Sequence, residues 1–367
     1  MTADPRLGDL FLDLARLDGR SGHEKPVADY VLRFCQGLGL EAAADDSAAR
    51  TGSDTGNVVC RYAGGGDLAL LAHMDTARST KDTKAVVLAD RIASDGRGQL
   101  GADNRAGIAA ILHAVERALR AGVRLKPFTI ALTVMEETTM AGAVNLRLGP
   151  GVRAGFIFDS SLDPGSFAAC SPGAAAFTAR VAGRAAHAGI APEQGVSAIA
   201  IAARAVAGLR LGRIDPETTA NVGTIHGGEA TNVVPAAAVV EGEARSMDPV
   251  KVEALVEETR RGFAAAAEAA GGQVGFEWRW DFRPYRLDPA APVFREAVRA
   301  AAAAGLEPRP VPSHGGSDAN HLNAGGLPSV NFGIGAKNPH ADDEYILREH
   351  LAQASDIALA LIKEPRA

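Results

Sequence analysis

Hydrophobic positions along the chain follow two different periods. Short, mostly apolar runs at 68–72, 128–137, 155–158 and 329–334 carry branched and aromatic side chains with no internal proline, the second closing on two glutamates. Runs of this kind predict strands buried on both faces. Other stretches repeat at helical spacing. Leu7, Leu10, Phe11, Leu14 and Leu17 share one face over 5–20, and Val27, Tyr30, Val31 and Phe34 do so over 26–38. Ile108, Ile111, Leu112 and Val115 mark a helix over 105–120, and further helices are predicted at 142–148, 292–304 and 349–362. A short strand at 57–62 and a hairpin around 85–92 complete this part.

Between Ser171 and Tyr285 the pattern changes. Residues 174–182, 220–225, 237–245 and 274–280 alternate apolar with polar, as half-exposed strands do, and helices are predicted at 196–211 and 249–270. Strand, helix, strand, strand, helix, strand describes a compact α+β unit set into an α/β chain. The expected division is 1–171 and 286–367 as two parts of one catalytic domain, with 172–285 inserted.

Composition narrows the function. The chain has 367 residues, 47% hydrophobic and 22% charged, with a net charge of −6. That is a packed globular composition and argues against a nucleic-acid partner, which needs a basic surface. No run approaches the length of a membrane span, so no membrane partner is expected. The amino-terminal stretch lacks the basic and apolar regions of a signal peptide. Three cysteines, widely spaced, suggest neither a disulfide framework nor a thiolate metal site, and a reducing cytoplasm is the simplest compartment.

The chemistry lies at the ends of the apolar runs. His73 and Asp75 follow the first, Glu136 and Glu137 close the second, Asp159 follows the third, and His340 lies beyond the fourth; Asp103 opens a helix. Each alone has an ordinary explanation as a cap, a turn or a solvated side chain. Together they fall where open α/β sheets bind ligands, beyond the carboxyl ends of the strands. Imidazoles and carboxylates without thiolates suit zinc, and their number suits two ions sharing one carboxylate. Such pairs, roughly 3.5–4 Å apart, clamp an attacking hydroxide. A further carboxylate outside the ligand set must then move the proton. Glu136 and Glu137 can supply one ligand and one proton carrier, in an order the residues alone leave open.

The motifs AHMDT, LGADNRAG, MEE, FDSS, GGSDAN and NPHADDEY, in this order, resemble the cocatalytic di-zinc metallopeptidases that include peptidase T, glutamate carboxypeptidase and succinyl-diaminopimelate desuccinylase. LGADNRAG and HADDEY are most similar to the peptidase T-like tripeptidase branch. The resemblance implies a zinc-peptidase-like α/β domain, a mixed sheet flanked by helices, with an inserted α+β lid and dimerisation domain. It implies that His73 and Asp159 bind one Zn2+, that Glu137 and His340 bind the other, and that Asp103 bridges them, with Co2+ or Mn2+ able to substitute. Glu136 would be the general base and then the general acid, and Asp75 would fix the His73 tautomer. A cis peptide bond is expected at Asp103–Asn104. His187 in GRAAHAG would stabilise the oxyanion, and Asn232 and Arg245 would hold substrate polar groups. The loop through Gly316 and Ser317 could offer main-chain N–H groups to a substrate carboxylate.

The expected activity is hydrolysis of short peptides, as by a tripeptide aminopeptidase, in a homodimer formed through the inserted domain. Cleavage of N-acyl amino acids by an amidohydrolase or carboxypeptidase is the alternative, and a metal-binding protein without turnover is a third.

Overall fold

The computed structural model describes residues 4–364. Within them the chain divides into two compact units. The first comprises residues up to Cys170, Arg286–Ser313 and residues from Ser317 onward; the second comprises Ser171–Tyr285 and His314–Gly316.

The first unit is built on a mixed sheet flanked by helices. Its strands run in the order Glu41–Ala44, Val58–Tyr62, Phe128–Thr133, Leu68–His73, Ala154–Ser160, Ser329–Gly333 and Ser166–Ser171. The central four are parallel to one another, with Ala72 opposite Leu132, Leu71 opposite Ile157 and Val330 opposite Phe156. Every residue of Leu68–His73 and Phe128–Thr133 is buried, which is why these segments read as mostly apolar runs. The helix Ala102–Arg120 lies against them and is buried on nearly every side, packed also by the helices Pro5–Ala15 and Arg348–Ile362. Gly107 marks its closest approach to the sheet: a Cβ there would overlap the Phe158 carbonyl oxygen.

The second unit is an antiparallel sheet in the order Gly212–Asp215, Thr218–Gly227, Ala237–Ser246, Gly173–Ala182 and Gln273–Phe282. The helices Ala198–Ala207 and Pro249–Ala270 cover it, burying Phe177, Val181, Ile201, Val240 and Phe263.

Several element ends differ from the sequence reading. The first helix stops at Ala15 instead of continuing to 20. Beyond it, Asp18 and the Gly19 carbonyl accept the N–H groups of Thr80 and Thr76, so this stretch is committed to a neighbouring loop. The strand predicted over 128–137 ends at Thr133. Asp159 falls inside its strand and not past its end. The strands Ser166–Ser171, Gly212–Asp215, Arg309–Pro312 and Tyr345–Leu347 are short and had no visible period. Among the described residues, no helix is long and apolar enough to cross a membrane.

Candidate metal site

The parallel order of the central strands brings their carboxyl ends together. His73 closes the strand Leu68–His73 and sits in register with Thr133. Its ring is buried, with Nε2 3.1 Å from both Asp103 Oδ1 and Asp159 Oδ1. Its Nδ1 lies 3.2 Å from the Asp75 main-chain oxygen and 3.3 Å from Asp75 Oδ1. On the other side, His340 Nε2 lies 2.9 Å from Glu137 Oε2 and 3.6 Å from Asp103 Oδ2.

Among the described residues, two groups that could hold a metal ion result, one of His73, Asp103 and Asp159, the other of Asp103, Glu137 and His340. Within each, the donor atoms lie inside 4.8 Å of one another. Asp103 belongs to both and turns one oxygen to each. Glu136 belongs to neither, its Oε2 standing 4.0 Å from His73 Nε2.

Backbone shape and hydrogen bonds fix these donors. The Asp103–Asn104 peptide bond is cis, and both residues leave helical geometry at the start of Ala102–Arg120. Glu344, wholly buried, accepts the N–H of Gly101 at 2.8 Å and of Asp103 at 2.9 Å. Asp159 accepts from Asn104 Nδ2 at 3.1 Å and Asn331 Nδ2 at 3.4 Å. Arg78 Nη2 donates to the His340 carbonyl and, at 2.8 Å, to Asp342. The sequence reading gave no role to Glu344, Asn104, Asn331 or Arg78. Glu344 was visible only as one letter of NPHADDEY.

The electrostatics fit a cation. Burial pushes the carboxyls of Glu136, Glu137 and Asp159 upward, and neighbouring carboxylates add to it: Asp159, Asp318 and Glu137 at Glu136, and Asp103 at Glu137 and Asp159. Burial works to lower the His73 imidazolium, yet Asp159, Asp103 and Asp75 outweigh it and hold its pKa well above the ordinary value. Hydrogen bonds to Asp103 and Glu137 raise His340 to about 10. Glu137 Oε1 is buried without a hydrogen-bond partner. Buried carboxylates facing imidazole nitrogens, with one oxygen left over, match the nitrogen and oxygen donor set of a metal centre.

The remaining candidates divide between the units. Ser317 caps the helix Asp318–Ala324: its Oγ accepts the Ala319 N–H, and its own N–H donates to Asn320 Oδ1. Gly316 belongs to the second unit, where a Cβ would overlap the Phe282 ring. His187 is exposed and bridges to Val233, while the Ala188 N–H donates to the Asn232 carbonyl, so the two polar candidates lie on adjacent segments. Arg245 grips Glu243 with both arms of its guanidinium, each at 2.9 Å.

Comparison with known proteins places this geometry. Residues 171–270 match a peptidase dimerisation domain. The crystal structure of a tripeptidase from Staphylococcus aureus superposes with a TM-score of 0.92, at 31% identity over 99% of both chains. The chain belongs to the M20 peptidase family, in its peptidase T-like branch. An aminopeptidase PepT from Bacillus cereus is similar to this M20 peptidase at 33% identity and a TM-score of 0.89, again over 99% of both chains. The uncharacterised protein YqjE of Bacillus subtilis is 33% identical over 99% of each. As an M20 peptidase the chain is a hydrolase with a metal cofactor, and the fold expected from its sequence is the family's own.

Proposed function

We propose that this M20 peptidase is a di-zinc aminopeptidase acting on tripeptides and other short peptides. The observation that carries the reading is the division of labour among the carboxylates: Asp103 is shared by two ligand groups, while Glu136 lies beside them and in neither. The similarity to a tripeptidase and to PepT along the whole chain supports the substrate class.

His73 and Asp159 would hold one ion, Glu137 and His340 the other, and Asp103 both. When bound, the ions polarise the scissile carbonyl and acidify a water. Glu136 takes the proton released as the water attacks and returns it to the departing amine. Its burial suits the first half of this work, since a raised carboxyl pKa makes the carboxylate a stronger base. Asp75, held against Nδ1, leaves the His73 Nε2 lone pair for the metal. His187 would steady the developing oxyanion, and Asn232 and Arg245 would bind the peptide; for Arg245 this requires release from Glu243. The peptidase dimerisation domain supports a homodimer, and three cysteines without a disulfide support a reducing cytoplasm.

The test is a substrate panel on zinc-loaded enzyme with Glu136→Gln in parallel. Tripeptides with a free amine should be cleaved, N-blocked tripeptides refused, and Glu136→Gln should lose about 10²- to 10⁴-fold in kcat with its metal content intact. Preference for blocked peptides or N-acyl amino acids would replace this reading with the amidohydrolase one. Undiminished turnover by Glu136→Gln would remove its assignment as the base.

A further inference from the structure

Glu24 stands at the start of the helix Lys25–Gly37 but does not cap it, for its side chain makes no bond to the first turn. Its carboxylate is wholly buried. Removing such a group from water is costly unless hydrogen bonds replace those lost. The replacements lie away from its own helix. Oε1 accepts the main-chain N–H of Gly22 at 2.8 Å and of Met135 at 3.0 Å, and Oε2 accepts the Ser53 hydroxyl.

Met135 is the residue that needs holding. It lies directly before Glu136, and its φ of 56° is a left-handed conformation uncommon for residues bearing a side chain. The next two N–H groups are also received by a buried carboxylate. Glu136 N–H donates to Asp75 Oδ1 at 3.0 Å, and Glu137 N–H to Asp75 Oδ2 at 3.1 Å. The Ser21 hydroxyl donates to the same Asp75 Oδ2 at 2.5 Å. Three consecutive N–H groups are thus taken up by two buried carboxylates, and the short segment from Ser21 to Glu24 touches both.

We propose that Glu24 is a positioning residue for hydrolysis: by receiving the Met135 N–H it fixes the turn from which Glu136 projects, while the Glu137 N–H is held by Asp75. Glu24 belongs to neither ligand group, so its effect passes through the main chain. This rests on the reading of Glu136 as the proton carrier. A base displaced by a fraction of an ångström loses rate without losing substrate, because geometry enters the chemical step more steeply than binding. Glutamine at 24 keeps an oxygen for both N–H groups and can donate to the Ser53 oxygen, whereas alanine leaves both N–H groups unpaired.

The experiment compares Glu24→Ala, Glu24→Gln and Glu136→Gln with the parent by kcat, KM, bound metal and unfolding midpoint, well below that midpoint. Glu24→Ala should lose about 10- to 100-fold in kcat, with KM within about twofold and metal content unchanged. Glu24→Gln should recover kcat to within about threefold of the parent. If alanine does not fold, Glu24→Asp, one methylene short of Met135, should fold and show the same loss. Parental kcat in the alanine or aspartate variant, or a loss matching lost metal or lost folded protein, overturns the proposal. An inactive Glu136→Gln beside active Glu24 variants sinks this inference alone. An active Glu136→Gln sinks the reading beneath it.

Discussion

Arg105 donates from Nη1 to the main-chain carbonyl of Met74, setting a buried guanidinium against the link between His73 and Asp75. Burial lowers its pKa to about 10, while the charges of Asp75, Glu24, Asp18 and Glu344 pull the other way. It is therefore charged at neutral pH and offsets part of a strongly acidic interior. Arg105→Met should lower stability by about 3–5 kcal/mol, since removing one side of a buried charge set leaves the other uncompensated. Denaturant unfolding of metal-loaded protein measures it, and a change below about 1 kcal/mol would show that the charge matters little.

Asp103 predicts unequal metal losses. His340→Ala removes one donor from one group and should leave about one ion per chain. Asp103→Ala removes a donor shared by both groups and should leave close to none. Metal analysis after dialysis distinguishes them, and equal content in the two variants would contradict a bridging role.

The close approach at Gly107 predicts a packing cost. Gly107→Ala would set a methyl group against the Phe158 carbonyl, one residue before Asp159. Overpacking of this kind costs about 1–3 kcal/mol. Unfolding should show that loss, with weaker metal retention where the displaced strand carries Asp159. Parental stability would mean that helix and sheet can separate freely here.

Tyr30 carries an alkaline prediction. Burial, then the Asp13 charge 3.3 Å from its hydroxyl, pushes its pKa up to about 12. An unfolded tyrosine loses its proton near about pH 10. Between these values the unfolded chain holds fewer protons at this position, so rising pH favours unfolding. The contribution is complete below about pH 10 and lost by about pH 12. Tyr30→Phe should flatten the fall in stability across that window relative to the parent. Identical slopes would assign the fall elsewhere.

Leu68–His73 and Phe128–Thr133 were legible because burial on both faces leaves a run of apolar residues that nothing else explains. The ligand candidates were legible because their types recur at the ends of such runs. Ser166–Ser171 was not, since its small residues carry no period, and Tyr345–Leu347 is too short to show one. The turn at Met135 was hidden for another reason. It is held by Glu24, 111 residues away, through main-chain groups that every residue possesses. Glu344 reaches the Asp103 N–H across 241 residues in the same way. Hydrogen bonds to main-chain atoms leave almost no mark on composition, so the donors of the centre and Asp75 could be read while Glu24 and Glu344 could not.

The strand Ser329–Gly333 lies inside the sheet, between Ala154–Ser160 and Ser166–Ser171, although it is among the last elements in the chain. His340 and Glu344 follow it. During synthesis the sheet therefore waits, with a vacant slot along the open edge of Ala154–Ser160, until the whole inserted unit has emerged. On the proposed ligand set, hydrolysis cannot begin before that strand is in place, because His340 follows it in the chain. A nascent chain stalled before residue 329 would expose an unpaired apolar strand edge, the feature that draws chaperones and proteases, and would have no working centre.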